Sequence, residues 1–173
     1  MSAGKNAWLR SPEPQRRFGL KGPRAAALLE QLDLTVPSRP NSWSPLRDRD
    51  RDDSWNVIGR LGATEFFMEV GGDVSGITEL EKLTREGAPG AYPVLREDFG
   101  VVLGGARATE VLAQVCNVNF AALPEHAVVM TLMIGVSVLV MPQTTDEGRV
   151  YRIWCDPSFG SYLKSELEQM VNP

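Results

Sequence analysis

Apolar residues fall on one helical face in two separate stretches of this chain, and the second stretch repeats the first. Ala25, Leu28, Leu29 and Leu32 form one stripe; Ala108, Val111, Leu112 and Val115 form the other. Both follow the i, i+3, i+4, i+7 spacing that places side chains on one side of an α-helix. The same kind of segment leads into each stripe: Leu20-Lys21-Gly22-Pro23-Arg24-Ala25 in the first copy and Leu103-Gly104-Gly105-Ala106-Arg107-Ala108 in the second. Each copy reads as a strand, a glycine turn and a helix lying back on a sheet. A repeated strand-turn-helix is scaffolding, so the pattern speaks first of architecture.

Between and beyond the copies the periodicity predicts further elements. A strand over 16–20 and a helix over 23–32 come first, with Pro23 in the first helical turn, where its missing N–H is not needed. The stretch 36–55 carries Pro37, Pro40 and Pro45 and then the alternating run Arg47-Asp48-Arg49-Asp50-Arg51-Asp52-Asp53. Prolines and alternating charges build no core, so it reads as a surface excursion or a disordered loop, with Trp43 and Trp55 pinning its ends. A strand pair over 56–60 and 65–70 surrounds Leu61-Gly62-Ala63, and Gly71, Gly72 and Gly76 mark a turn. A helix over 78–85, capped by Thr78 or Ser75, stops at Gly87-Ala88-Pro89-Gly90. Extended stretches over 92–95 and 98–103 precede the second repeat helix at 106–116.

The stretch 127–141 is almost wholly apolar but shorter than the roughly 20 residues a membrane-spanning helix needs. Valine enrichment and Gly135 predict two buried strands joined by a tight turn. A last strand over 150–155 places Tyr151, Ile153 and Cys155 on an apolar face and Val150, Arg152 and Trp154 on the other. Asp156-Pro157 then opens a final helix with the apolar face Phe159, Tyr162, Leu163, Leu167 and Met170. The expected fold class is α+β, a mainly antiparallel sheet with packed helices built on the two strand-turn-helix repeats. Residues 1–15 are expected to be a flexible arm, and 16–173 a single domain with a surface loop at 36–55.

Composition narrows the function. With 43% hydrophobic residues in 173, the chain has enough apolar mass for a core. A net charge of −4 gives no general attraction to nucleic acid or anionic membrane. Residues 1–10 lack the apolar region of a secretory signal, so none is expected. Cys116 and Cys155 make neither a CxxC pair nor a disulfide framework and read as buried thiols of a reducing cytoplasm.

Few residues suggest chemistry. The turns Gly22-Pro23 and Gly104-Gly105 sit where a phosphate could meet a helix N-terminus. Neither is a GxGxxG or a P-loop, and a tight turn needing small residues explains both. His126, the single histidine, has no partners at metal or triad spacing and reads as a solvated loop residue. Cys155 adjoins a helix N-terminus that could lower its pKa, but its alternation places it in the core as an inert thiol. Cys116 ends a helix stripe and reads as packing. The carboxylates Glu65, Glu69, Glu79, Glu81, Glu166 and Glu168 are scattered and read as solvated, with Lys82 beside the helical pair. The Arg47 to Asp53 run cancels its own charge and reads as a solvated loop or a docking rim. Trp8, Trp43, Trp55 and Trp154 are many for this length. The face bearing Trp154 belongs either to a subunit interface or beneath a helix of the same chain. No residue is assigned as catalytic or as a metal ligand, and none to a cofactor.

Several segments resemble the gamma subunit of heterotetrameric sarcosine oxidase. Arg60-Leu61-Gly62-Ala63-Thr64-Glu65-Phe66-Phe67 looks like that family's "LGPDEW" strand, with Ala63, Thr64 and Phe66 replacing proline, aspartate and tryptophan. The 103–112 segment is similar to "LSGPxAxxVL", and Cys116-Asn117-Val118-Asn119-Phe120 to "CPLDL". The segment 150–163 resembles the closing strand and "SFAxYLW" helix, with Lys164 at the last position. Leu95-Arg96-Glu97-Asp98 stands where the family carries "DVSH", which marks a divergent relative. The resemblance covers about 16–171, with 36–55 unassigned.

It implies a fold like the folate-binding domain of the glycine-cleavage T protein, and a small cytoplasmic subunit bound to larger alpha and beta oxidoreductase subunits. It further implies flavin, NAD and tetrahydrofolate on those partners and none on this chain alone, and a non-catalytic role in oxidising sarcosine or a related N-methyl amino acid. The alternative is a free-standing tetrahydrofolate-binding or one-carbon transfer protein, with Glu65 or Asp98 facing the pterin.

Overall fold

The computed structural model describes residues 7–12, 15–47, 55–71 and 75–172. In chain order the elements are β1 (Trp8–Arg10), β2 (Arg16–Lys21), α1 (Ala25–Gln31), β3 (Ser42–Pro45), β4 (Val57–Arg60), β5 (Glu65–Val70), α2 (Ser75–Arg85), β6 (Tyr92–Val94), β7 (Phe99–Gly104), α3 (Ala108–Val115), β8 (Val129–Met133), β9 (Val136–Thr145), β10 (Gly148–Cys155) and α4 (Gly160–Val171). They form an α+β fold with two five-stranded sheets, ordered β3-β4-β5-β2-β6 and β1-β7-β10-β9-β8. The registered pairings are antiparallel. Two sheets stand where the sequence pattern suggested one.

The contacts divide the chain into two compact units, Glu13–Arg96 and Met1–Pro12 with Glu97–Pro173, where the sequence reading draws one domain over 16–173. In the first unit, alternate residues Phe18, Leu20, Ile58, Phe66, Met68 and Val70 share a core with Ala25 and Leu29 of α1 and Ile77 and Leu80 of α2. In the second, Val101, Leu103, Val138, Val140, Tyr151 and Ile153 meet Val111 and Leu112 of α3 and Leu163 and Leu167 of α4. Phe120 packs edge-on to Tyr151, with ring centroids 5.8 Å apart. Leu29 and Leu112, equivalent in the repeat, are both fully buried.

The repeat is structural as well as sequential. Gly22 and Gly105 both take positive φ (131° and 97°), a region L side chains avoid. Arg24 and Arg107 precede their helices with nearly the same backbone, φ −106°, ψ 7° and φ −100°, ψ 11°. Ala25 and Ala108 donate back to the carbonyls of Gly22 and Gly105 at 3.1 and 3.0 Å.

Other expectations are corrected. Trp8–Arg10, placed in a flexible arm, is an edge strand paired with β7, Trp8 opposite Gly104. The Trp8 indole lies where a Cβ on Gly104 would stand, so the glycine admits the ring. A three-residue strand is too short to show alternation. Within the expected 36–55 loop, Ser42–Pro45 pairs with β4 and buries Trp43, while 48–54 lie outside the described residues. Helix α2 begins at Ser75, so Thr78 is inside it rather than a cap, and Gly76 is helical rather than part of a turn.

The 127–141 hairpin is present, turning at Ile134 (φ 51°) and Gly135 (φ 78°), as in the positive-φ two-residue turns that match strand twist. Only one of its strands is interior, however. Strand β8 is the sheet edge and exposes Met130 (57%) and Leu132 (63%). At the C-terminal end Asp156 accepts from the Ser158 N–H at 2.9 Å and Pro157 opens a 3-10 turn, as the cap signal indicates. The α4 stripe splits: Leu163 and Leu167 are buried, whereas Phe159, Tyr162 and Met170 are exposed. Among the described residues no helix is long and apolar enough to cross a membrane.

Candidate functional site

The two glycine turns are where ligand chemistry was most conceivable, and their donors decide the matter. At the first, the Gly22 N–H donates to the Thr64 carbonyl and the Arg24 N–H to the Gly90 carbonyl, both at 2.9 Å. Pro23 has no N–H to offer. The protein therefore consumes the donors a phosphate would use, and helix α1 spans only seven residues. Beside it, Arg24, Leu28, Gln31, Leu83, Glu86 and Ala88 line an open cavity of about 320 Å³.

The second turn opens onto a larger cleft of about 780 Å³, lined among others by Trp8, Arg10, Gly105, Thr109, Arg149 and Tyr151. The chain had to place β1 on β7 to make it, because Trp8 and Arg10 arrive only on that strand. Arg10 makes a fork of hydrogen bonds to the Glu147 carboxylate, at 2.7 and 3.2 Å, and its guanidinium lies 4.0 Å from the Trp8 ring centroid. Arg149 donates to the Leu123 carbonyl at 2.5 Å and stands 5.7 Å from the Tyr151 ring. Burial pushes the Tyr151 phenol above its ordinary pKa, and the Arg149 guanidinium partly opposes that. Both guanidiniums are thus engaged by protein acceptors. The Glu147 carboxylate is part of the lining as well, so the cleft offers an anion no uncommitted guanidinium pair among the described residues.

The remaining candidates are dispersed. Cys155 is buried and its thiol is pushed up to about 11, first by burial and then by the Asp156 and Asp98 carboxylates, which is the inert thiol expected. Cys116 is buried with its Sγ 3.7 Å from the Thr131 hydroxyl. His126 lies in an exposed turn. Among the described residues no group of three or more His, Cys, Asp or Glu could hold a metal ion.

The carboxylates are mostly at the surface in ion pairs: Glu79 with Lys82, Glu168 with Lys164, Glu81 with Arg16, and Glu65 with Arg96 at 3.2 Å. Glu166 is half-buried on α4. Glu69 departs from the expected solvated face. It is 1% exposed and accepts from Arg17 Nε at 2.5 Å, directly across the β2–β5 ladder. The sequence carries only an indirect signal: Phe66, Phe67, Met68 and Val70 put apolar side chains on both faces of the strand that bears Glu69. Glu65 lies in one unit and Asp98 in the other.

Trp154 is 2% exposed, and Arg152, its neighbour on that face, lies with its guanidinium 5.2 Å from the indole centroid. That face is therefore covered rather than open. Of the charge run, only Arg47 lies among the described residues. Sequence reasoning missed Arg10, Glu147 and Arg149 because they converge only through β1 and the β9–β10 turn.

Among solved structures the chain is similar to heterotetrameric sarcosine oxidase from Corynebacterium sp. U-96 in complex with pyrrole 2-carboxylate. The TM-score is 0.77 at 18% identity, over 98% of this chain and 86% of that one. It is also similar to the glycine cleavage system aminomethyltransferase T from Bartonella henselae, with TM-score 0.71 at 15% identity, over 94% of this chain but 45% of that one. No family model matches this chain, and no curated protein sequence does. The fold implied by the sequence resemblance is the fold found.

Proposed function

We propose that this chain is a non-catalytic accessory subunit of a flavin-dependent complex that oxidises sarcosine or a related N-methyl amino acid. The observation that carries this reading is the near end-to-end match with a chain of heterotetrameric sarcosine oxidase, 98% of one and 86% of the other. A chain of matching fold and matching extent fits the place of a whole subunit. The dispersed carboxylates and the engaged arginines are in keeping with a structural role. On this reading flavin, NAD and tetrahydrofolate sit on the larger subunits, and the buried thiols suit a cytoplasmic complex.

Affinity purification of the chain from its native cell tests this. Larger oxidoreductase subunits should co-purify, and the eluate should show flavin absorbance. A chain that emerges alone and colourless overturns the reading.

The aminomethyltransferase match supports a second reading, a free-standing tetrahydrofolate-binding protein. This chain spans about half of that enzyme's length. Titration of the purified chain with tetrahydrofolate, followed by tryptophan fluorescence, separates the two: saturable quenching favours the second, and a flat response removes it.

A further inference from the structure

We propose that the open edge of β8 pairs with β8 of a second copy of this chain, antiparallel and centred on Thr131. The pairing would join two five-stranded sheets into one continuous sheet. Strand β8 ends its sheet, next to β9. The two-residue turn makes Met133 and Val136 the closing hydrogen-bonded pair. Alternation then points the N–H and C=O of Val129 and Thr131 toward β9, and those of Met130 and Leu132 away from it. The same two residues hold out their apolar side chains, 57% and 63% exposed. The strand Val-Met-Thr-Leu-Met carries no proline and no charge, the devices that ordinarily blunt an edge.

The order of residues points to a second copy. About Thr131 the strand is self-complementary: Met130 meets the other copy's Leu132, Val129 meets its Met133, and Thr131 meets itself. In this register Met130 and Leu132 form the hydrogen-bonded pairs, so every outward backbone group of both residues is used. Threonine opposite threonine, and apolar opposite apolar, are favourable cross-strand pairs. A two-fold axis gives this kind of like-with-like interface. The edge is also held in place. Thr131 contacts Cys116 Sγ, the Ile134 N–H donates to the Val115 carbonyl at 3.0 Å, and the Tyr162 hydroxyl donates to the Ile134 carbonyl at 3.4 Å. This inference goes beyond the accessory-subunit reading and does not depend on it.

Sedimentation equilibrium of the full chain, from about 1 to about 200 µM, tests it by mass action. A monomer of 19.0 kDa should pass to twice that mass as concentration rises. The double substitution Met130→Lys with Leu132→Lys sets ammonium groups against each other and should weaken the dimer about 100-fold. Leu95→Lys, at a residue 81% exposed in the other unit, should leave it unchanged. Amide exchange on the unsubstituted chain should show protection of Met130 and Leu132 that grows with concentration, which keeps the test valid if the double variant misfolds. A monomer throughout, a dimer indifferent to the double substitution, or exchange at β8 independent of concentration would each overturn the proposal. So would exclusive protection of β8 by a larger subunit of an isolated complex.

Discussion

Glu69 and Arg17 allow the sharpest test of how the first unit holds together. They stand directly opposite on β5 and β2, with Arg17 Nε 2.5 Å from Glu69 Oε2. Glu69 is 1% exposed and Arg17 14%. Removing the carboxylate alone, by Glu69→Ala, leaves a guanidinium that water barely reaches. Breaking a buried pair in this way costs about 3–5 kcal/mol. Both residues make further interactions, so the substitution forfeits more than this one contact. Set against a total stability of about 5–15 kcal/mol, the loss is a large fraction. At about 2–4 °C per kcal/mol, the melting temperature should fall by roughly 10 °C.

Replacing both partners changes the sign of the argument. Arg17→Met with Glu69→Leu removes both desolvated charges and fills the space with apolar atoms, so it should cost about 1 kcal/mol or less. With the single variants Glu69→Leu and Arg17→Met each costing about 3–5 kcal/mol, the double-mutant cycle should then give a coupling energy of at least about 5 kcal/mol. Urea unfolding followed by fluorescence is a suitable assay, because Trp43 is buried on β3 of the same sheet. The urea dependence should stay constant, so that midpoint shifts report stability. If Glu69→Ala costs under about 1 kcal/mol, or the double variant loses the sum of both singles, the pair does not hold β2 to β5.

Three further outcomes follow from the same structure. Cys155, with a thiol at about 11 against the ordinary 9.0, is held neutral by burial, so the folded chain keeps its proton more tightly than the unfolded one. That contribution is complete below pH 9 and is lost between about pH 9 and 11, worth about 2–3 kcal/mol at most. A pH series of urea melts should show the slope, and Cys155→Ala should reduce it, leaving the part above about pH 10 that the raised Tyr151 phenol contributes. Leu29→Ala and Leu112→Ala, at equivalent buried sites of the repeat, should each cost about 3 kcal/mol in equilibrium unfolding; widely unequal costs would mean the repeat is not energetic. Gly22→Ala should cost more than about 2 kcal/mol, since its φ is 131° and its Cβ would press on the Gly90 carbonyl, whereas Gly62→Ala, with open space around it, should stay within about 0.5 kcal/mol. Paired thermal melts would reveal any reversal.

The parts of the fold that the sequence made legible are those with a long or repeated signal. The two copies of strand, glycine and helix could be read because each apolar stripe spans two helical turns and the turn demands a small residue. The 127–141 hairpin was legible because an almost wholly apolar stretch of fifteen residues, rich in valine and carrying one central glycine, fits a strand pair better than a helix. Strands β1 and β3 were not legible: three or four residues cannot show alternation, and their pairing is decided by β7 and β4. The burial of Glu69 was missed because a carboxylate reads as solvated unless its partner is known, and Arg17 lies 52 positions away. The exposure of β8 was missed for a related reason. Apolar composition reports what a strand could bury, while its rank in the sheet decides what it does bury.

That last distinction bears on function as well. The same fold appears in a sarcosine oxidase chain and in an aminomethyltransferase more than twice as long as the matched span, so the fold alone does not choose between them. What differs is how much of each chain is present. The oxidase chain is matched nearly throughout, whereas over half of the aminomethyltransferase has no counterpart here. On the accessory-subunit reading proposed above, the chain would act through what it touches. On that reading its contacts should be sought on open edges such as β8 and in the arginine-aromatic cleft beside β1, rather than at the buried Glu69. Substitutions at Met130 and Leu132 should change assembly and leave folding intact, while those at Glu69 and Leu112 should do the reverse.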